Sequence, residues 1–436
     1  MTPEAALART TRLINEEYFG GAADTEAIAA GLLGTTVRLV ADEKNTSTLA
    51  GQAALVTAFQ LTTRLGIGIE LIVPEIQPVR AVPPLRAPRL RAALIDLGAD
   101  LIPGVMIRQT AFDAKLAFVF GDSADHEANG GSTLNVDVSD FGCRIDIPGE
   151  PGSPIESDVA YGGLAAGAAV AALALETALP NIEATTERKR TSQPRPSPGP
   201  PVDIDLRAIF PNLSPTPRLI SSLDVISAGA VTNGFIYTLL WLPIRCERLE
   251  IADDDDVDWH NLNRCTQFRA SDVASPKVEA LERSGTDSLR IVGRRERFRR
   301  PKAGQPWALA DDVVVGVDRI EARWWVQEAW PDNLYVAATS NREAVVTTHH
   351  TNGACAGCAH PQAAPPPDEI PTISFVSFWA GLLQACALLT ENRHSASRRL
   401  TVFPFALGEP SWASTAELQP IAGCAIQCQA SRTSPH

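Results

Sequence analysis

Asp253-Asp-Asp-Asp-Val-Asp-Trp-His-Asn-Leu-Asn-Arg-Cys-Thr-Gln-Phe268, followed by Asp272-Val-Ala-Ser-Pro-Lys277, is the stretch on which the reading of this chain turns. It follows Arg248-Leu-Glu-Ile-Ala252, a short run that reads as a strand. A carboxylate at the end of such a strand reaches ribose hydroxyls in a doubly wound sheet. Asp253 and Asp255 are therefore acids that can hold a ribose and a metal, while Asn261, Arg264 and Lys277 suit a nucleotide triphosphate as charge develops on it. A charge run is commonly just a solvated acidic turn, and Asp253 to Asp256 alone fit that reading as well. With the Asn, the Arg and the Lys also in register, the nucleotide reading prevails. An NAD-dependent dehydrogenase uses the same acidic device, but hydride transfer has no need of Asn261, Arg264 and Lys277 in a row.

Upstream, Asp224-Val-Ile-Ser is a short strand that enters the turn Ser227-Ala-Gly229-Ala-Val-Thr232, and a helix follows over Asn233 to Trp241. In a glycine-rich loop at this place the backbone approaches phosphate and the helix N-terminus supplies N–H donors. Only Gly229 stands here, with Ser227 and Thr232 where flanking glycines are expected. Either the hydroxyls contact phosphate or the turn is purely structural. Downstream, Asp312-Val-Val-Val-Gly-Val-Asp318 is a buried strand ending in a carboxylate, the end at which open α/β sheets bind ligands. A helix N-cap is the other reading of Asp318.

The spacing Asp-x-Asp-x-Val-x-x-x-Asn-Leu-x-Arg, with Lys277 thirteen residues beyond Arg264, resembles the adenylation core of the ThiF/MoeB/ubiquitin-activating-enzyme superfamily. The resemblance is specific over about residues 225–361. It implies that Asp253 binds ribose, that Asn261 and Arg264 contact phosphates, that Lys277 reaches them from the next helix, and that Asp318 handles magnesium and the nucleotide. It also implies ATP-dependent adenylation of the C-terminal glycine of a ubiquitin-like protein, which would pass to a conjugating enzyme. The family's glutamine after the Asn-Leu-x-Arg arginine is replaced by Cys265, and its glycine loop is reduced to Gly229. In paired-domain members an arginine of the inactive half also reaches the phosphates; Arg9 and Arg12, in the helix-like stretch Ala5 to Glu17, are the candidates.

Thr191-Ser-Gln-Pro-Arg-Pro-Ser-Pro-Gly-Pro-Pro201 forbids helix and central strand alike and reads as an extended linker. It separates residues 1–190 from residues 203–436, with 191–202 between them. The two parts look like weak copies. Thr36-Val-Arg-Leu-Val-Ala41, a helix from Leu49 to Leu65 and Ile69-Glu-Leu-Ile-Val73 echo the strand, helix and strand that precede Asp253. Lys115 to Asp122 echoes Asp312 to Asp318, and Tyr161-Gly-Gly-Leu-Ala-Ala-Gly echoes Trp379-Ala-Gly-Leu-Leu-Gln-Ala. The expected class is α/β: two doubly wound, Rossmann-like domains in pseudo-twofold arrangement. After Ile69 to Val73 the first has no Asp-x-Asp and no Asn-Leu-x-Arg, and so has the scaffold without the site. The chain is expected to be either a pseudo-dimeric monomer or a homodimer.

Cys355-Ala-Gly-Cys358 has the spacing of a zinc knuckle, and Cys424-Ala-Ile-Gln-Cys428 is the obvious second pair to close a tetrahedron. A redox pair is the alternative for Cys355 and Cys358. Cys386 sits in an apolar helix and reads as core. The resemblance implies that a thioester-forming member often carries its acceptor cysteine in the crossover segment, here Gln362 to Thr372, which has none, so adenylation is better supported than an enzyme thioester. With 45% apolar and 20% charged residues the composition is that of an ordinary globular chain, and the net charge of −13 argues against nucleic acid or an anionic membrane as partner. The Ala/Gly-rich run Tyr161 to Leu175 is too short to cross a bilayer and reads as a buried helix, so a cytoplasmic location is expected. A sulfur-carrier activator and a non-catalytic scaffold that binds a ubiquitin-like partner are the alternative functions.

Overall fold

The computed structural model describes residues 2–122, 132–147, 152–191, 201–300, 307–351, 353–362, 371–390 and 396–428. Residues 192–200 of the expected linker and 363–370 of the crossover segment lie outside these. Among the described residues the strands form two sheets. The first holds β1 (Thr36–Ala41), β2 (Gly68–Ile72), β3 (Ile107–Arg108), β4 (Leu116–Phe120), β5 (Ser132–Val138), β6 (Gly142–Asp146) and β7 (Val202–Asp205). The second holds β8 (Arg218–Ile220), β9 (Leu223–Ile226), β10 (Ile244–Ala252), β11 (Leu289–Arg294), β12 (Asp312–Val315), β13 (Asn333–Thr339), β14 (Ala344–His350), β15 (Arg398–Val402) and β16 (Ala413–Glu417).

The strand orders make the duplication explicit. The first sheet runs β3-β2-β1-β4-β5-β6-β7, and the second runs β11-β10-β9-β12-β13-β14-β15-β16 with β8 beside β10. In both, the first five strands of the order are parallel and those after them antiparallel. Each sheet therefore has a switch point, between β1 and β4 and between β9 and β12, where the chain reverses its direction of growth. A long apolar helix precedes the last shared strand in each: Tyr161–Thr186 before β7 and Ser374–Thr390 before β15.

Two expectations are revised. Strand β7 lies beyond the linker yet pairs with β6, so the division at residue 203 does not coincide with the division between sheets. The reason is legible in Val-Asp-Ile-Asp: Val202 and Ile204 are buried while Asp203 and Asp205 face solvent, the period-2 pattern of an edge strand. The helix that begins at Tyr161 does not end with the run to Leu175 but continues through Pro180 to Thr186. Ala178, Leu179 and Ile182 extend its buried face, and Ile182 lies against Gly31 of helix Thr25–Leu33. This helix is long and apolar enough to cross a membrane, but 89% of its most apolar window is buried inside the protein.

Helices Leu49–Arg64 and Tyr161–Thr186 of the first half pack with Ala230–Trp241 and Ser374–Thr390 of the second, within one buried cluster that runs through both halves. Glycines permit the close approach. A Cβ on Gly163 would meet the Ala50 carbonyl oxygen at 2.2 Å, and one on Gly381 would meet the Phe235 nitrogen at 2.3 Å. Small residues at matching places thus serve the same packing in both copies.

Arginines tie the halves together. Arg64, fully buried, donates from Nη1 to the Leu262 carbonyl (2.5 Å) and from Nη2 to those of Thr266 (3.0 Å) and Phe268 (2.8 Å). Arg80 donates to the Trp241 carbonyl (2.9 Å), one of the unpaired acceptors at a helix C-terminus. In the opposite direction, Arg269 reaches Asp96 (3.2 Å) and the Pro84 carbonyl of the first half. Replacing Arg64 by Ala leaves three buried carbonyls without a donor and opens a void, so urea denaturation should register a loss of about 3–5 kcal/mol. A loss below about 1 kcal/mol would show that water replaces the guanidinium without consequence.

Candidate functional site

The switch point of the second sheet opens into a cavity of about 460 Å³. Strand β9 delivers Ser227 and Gly229 to it, β10 delivers Asp253, Asp254 and Asp255, and the segment after β12 delivers Asp318. Arg264, Lys277 and, from the first half, Arg9 complete a polar wall. Ile226, Val317, Phe298, Ala322 and Trp325 line an apolar part. Thr339, Thr372 and Ser377 add hydroxyls to the lining.

The glycine-poor turn is held by its own side chains. Ser227 has φ +92°, in the region that favours glycine, and its N–H donates to the Ala252 carbonyl at 2.9 Å. Its Oγ accepts from the Gly229 N–H at 3.1 Å, and Asp253 Oδ2 accepts from the Ala228 N–H at 2.7 Å. Helix Ala230–Trp241 starts immediately after and presents its N-terminus to the cavity. Thr232, expected as a possible phosphate contact, is instead fully buried against Gly316 and does not line the cavity.

The acids are differently engaged. Asp253 also accepts from the Asp255 N–H at 2.9 Å, so both its oxygens are oriented by backbone. Burial raises its pKa, against the pull of the Lys277 charge and the Ala228 N–H. Asp255 receives the Lys277 ammonium at 2.8 Å, and Arg297 reaches Asp254 at 3.0 Å. Burial works to lower the pKa of Lys277, but Asp253 and the bond to Asp255 outweigh it and hold the ammonium charged. For Asp255, burial pushes upward and the same Lys277 bond prevails, leaving the carboxyl below its ordinary value.

Asn261 is not brought to the cavity. Its Oδ1 accepts from the Asp258 N–H at 2.8 Å and closes the turn that precedes Arg264. The neighbouring Asn263 does more for the site. It donates to Thr10 Oγ1 (2.9 Å) and the Thr372 carbonyl (3.1 Å), and its Oδ1 accepts from Arg264 (2.8 Å). One buried amide therefore aligns Arg264 with the helix that carries Arg9. Arg12 does not line the cavity and pairs with Glu16 at 2.8 Å. Asn263, Arg297, Phe298, Trp325 and Thr339 were not singled out from the sequence, because none has a local pattern that marks it.

At the corresponding place in the first half the loop closes on itself. Asn45, fully buried, donates to Asp122 Oδ1 at 3.0 Å and accepts from the Ile155 N–H at 2.9 Å, while Lys44 pairs with Asp122 at 2.8 Å. Asp122 follows β4 as Asp318 follows β12, so these bonds span the first switch point from β1 to β4.

The four cysteines expected to pair come together. The Sγ atoms of Cys355 and Cys358 lie 3.7 Å apart, those of Cys355 and Cys424 3.3 Å, and those of Cys358 and Cys428 3.6 Å. All four thiols are buried and within 4.8 Å of one another. Four sulfurs about 2.3 Å from one ion in a tetrahedron are roughly 3.8 Å apart, so the quartet fits zinc. Arg323, on the helix after Asp318, donates to the Val317 carbonyl through Nε (3.1 Å) and Nη2 (2.9 Å).

In comparison with known protein families, residues 218–408 match the ThiF family and residues 36–190 match the BilD N-terminal domain. Among solved structures it is similar to E. coli MccB with ATP, at 14% identity and TM-score 0.37, over 49% of this chain and 67% of that one. E. coli MccB with succinimide aligns at 15% identity and TM-score 0.38, over 47% of this chain and 66% of that chain's length. PaaA aligns at 12% identity and TM-score 0.31, over 46% and 65%. None of the curated proteins compared with the chain matches it.

Two outcomes are expected. Metal analysis of the purified chain should find about one zinc, lost in Cys355→Ser, whereas a metal-free folded protein would refute the assignment. Ser227→Gly removes a left-handed strain of about 1–2 kcal/mol and a hydrogen bond of about 1 kcal/mol. Its urea midpoint should therefore match or exceed that of the parent; a clear drop would mean that the Ser227 hydroxyl, rather than the backbone, sets the turn.

Proposed function

We propose that this chain adenylates the C-terminal glycine carboxylate of a ubiquitin-like protein, with ATP held at the second switch point. The observation that carries the reading is the convergence of Gly229, Asp253, Arg264, Lys277, Asp318 and Arg9 on one cavity. The ribose hydroxyls bond to Asp253, whose oxygens are already aimed by the Ala228 and Asp255 N–H groups. Its base lies along the apolar wall of Phe298, Val317 and Trp325, and the phosphates face the helix N-terminus, Arg264, Lys277 and Arg9. Lys277 leaves Asp255 for the triphosphate and brings its charge to where negative charge develops.

The partner's carboxylate oxygen attacks the α-phosphorus in line. The bond from that phosphorus to the bridging oxygen breaks, and pyrophosphate departs with the electron pair, leaving an acyl-adenylate. No protein nucleophile is needed; the chain supplies position and positive charge. Magnesium, for which Asp318 is the candidate ligand, neutralises phosphate charge when bound. Zinc at Cys355, Cys358, Cys424 and Cys428 is assigned a structural role.

A nucleophile of a conjugating enzyme then attacks the acyl carbon, the bond from that carbon to the phosphate oxygen breaks, AMP departs with the electron pair, and the nucleophile's proton goes to solvent. All eight cysteines are buried, four of them in the quartet. Burial pushes the Cys246 thiol up to about 11 and also raises Cys143, Cys265 and Cys386, so none is poised to accept an acyl group. Residues 1–190 act as an inactive adenylation-like half that braces the active one.

ATP–pyrophosphate exchange with ubiquitin-fold carriers ending in glycine tests this. Exchange should require the terminal glycine and fall by about 10²-fold or more in Asp318→Ala or Lys277→Ala. Subsequent transfer to a conjugating enzyme, rather than to a sulfur donor, separates this reading from a sulfur-carrier activator. Folded chain that supports no exchange with any carrier would leave the non-catalytic scaffold.

A further inference from the structure

The zinc quartet and the nucleotide cavity are joined by one helix, Ile320–Gln327, which follows Asp318 directly. Three side chains of this helix grip the segment from Cys355 to His360. Gln327 Oε1 accepts from the Ala356 N–H at 3.0 Å, Trp324 Nε1 donates to the His360 carbonyl at 3.0 Å, and Arg323 Nη1 meets His360 Nε2 at 3.2 Å. The remaining face of the Arg323 guanidinium holds the Val317 carbonyl through two bonds, one residue before Asp318. Arg323 is only 5% exposed, so water does not substitute readily for either partner. With a guanidinium opposite it, His360 Nε2 is the accepting nitrogen.

We propose that Arg323 and His360 are positioning residues through which an occupied cysteine quartet fixes Val317 and Asp318 at the mouth of the cavity. The metal orders the Cys355–His360 turn, the turn orients the His360 ring and carbonyl, and Arg323 carries that constraint to the Val317 carbonyl. Asp318 is exposed and feels the charge of Arg323, whose hold on the Val317 carbonyl also fixes the backbone from which the Asp318 carboxylate projects. The functional meaning of that placement rests on the nucleotide reading above; the mechanical link does not.

Hydrogen exchange of a peptide covering residues 316–320 tests the link without any nucleotide. The zinc-loaded chain is compared with the same chain after chelation, with His360→Ala and with His360→Gln, whose amide can still accept from Arg323. Exchange should quicken about tenfold on chelation and in His360→Ala, and stay near the parent rate in His360→Gln. Zinc content should be unchanged in both variants. Unchanged exchange after chelation would overturn the proposal, as would loss of zinc in His360→Ala, which would make His360 a partner of the metal and not of Arg323. A parallel titration with ATP, followed by the fluorescence of Trp325 at the cavity, should show the same order of affinities. Failure of the parent chain to bind ATP would count against the adenylation reading and leave the exchange result to decide the link.

Discussion

A single buried guanidinium holds the rest of this molecule in place. Arg64 stands at the end of a first-half helix with no carboxylate beside it among its bonded partners, and it spends its donors on Gln60 and on carbonyls of residues 262, 266 and 268. Burial pulls its pKa down to about 9, which still leaves it charged at neutral pH. A charge so buried is tolerable only where every donor finds an acceptor in good geometry. The loop from Leu262 to Phe268 is therefore not free to adopt other conformations, and Arg264 lies within it. Asn263, also in that loop, then sets Thr10 and so the helix that brings Arg9 to the cavity. The cavity is consequently a property of both halves.

This dependence gives a physical reason for a half that repeats the architecture without the site residues. The strand orders agree over seven positions, and the long helices with their glycine contacts agree as well. What differs is the switch point. In the second half the backbone turns at Ser227, and acids, cations and apolar side chains surround open space. In the first, Asn45, Lys44 and Asp122 bond to one another and to Ile155, and the loop is stabilised by contacts that a ligand would have to break. One copy uses its turn for stability and the other leaves its turn available for binding, a division that follows from a few side chains on a shared scaffold.

Much of this was legible in the chain. The strands around Asp253, the echo between Thr36–Val73 and the second half, and the cysteine pairs depend on local periodicity and spacing, and the structure places them as those patterns indicate. What was not legible depends on long-range contact. Asn261 and Asn263 are two residues apart and chemically identical, yet one closes a turn and the other aligns two arginines; only the position of Thr10 tells them apart. Arg9 and Arg12 share a helix, and only the second half's position decides which reaches the cavity. Arg64 looks like an ordinary basic residue at a helix C-terminus, and nothing nearby in sequence announces that its partners lie some 200 residues later. Thr232 suggested a phosphate contact by its place in the loop, but the helix phase turns it inward toward Gly316.

The claim that one switch point binds nucleotide while its copy is closed is tested most directly by the stoichiometry of ATP binding, measured calorimetrically with the full chain and magnesium. The account predicts one ATP per chain, abolished by Asp253→Ala and unaffected by Asp122→Ala in protein that remains folded. Two sites per chain, or a single site that survives Asp253→Ala, would contradict it.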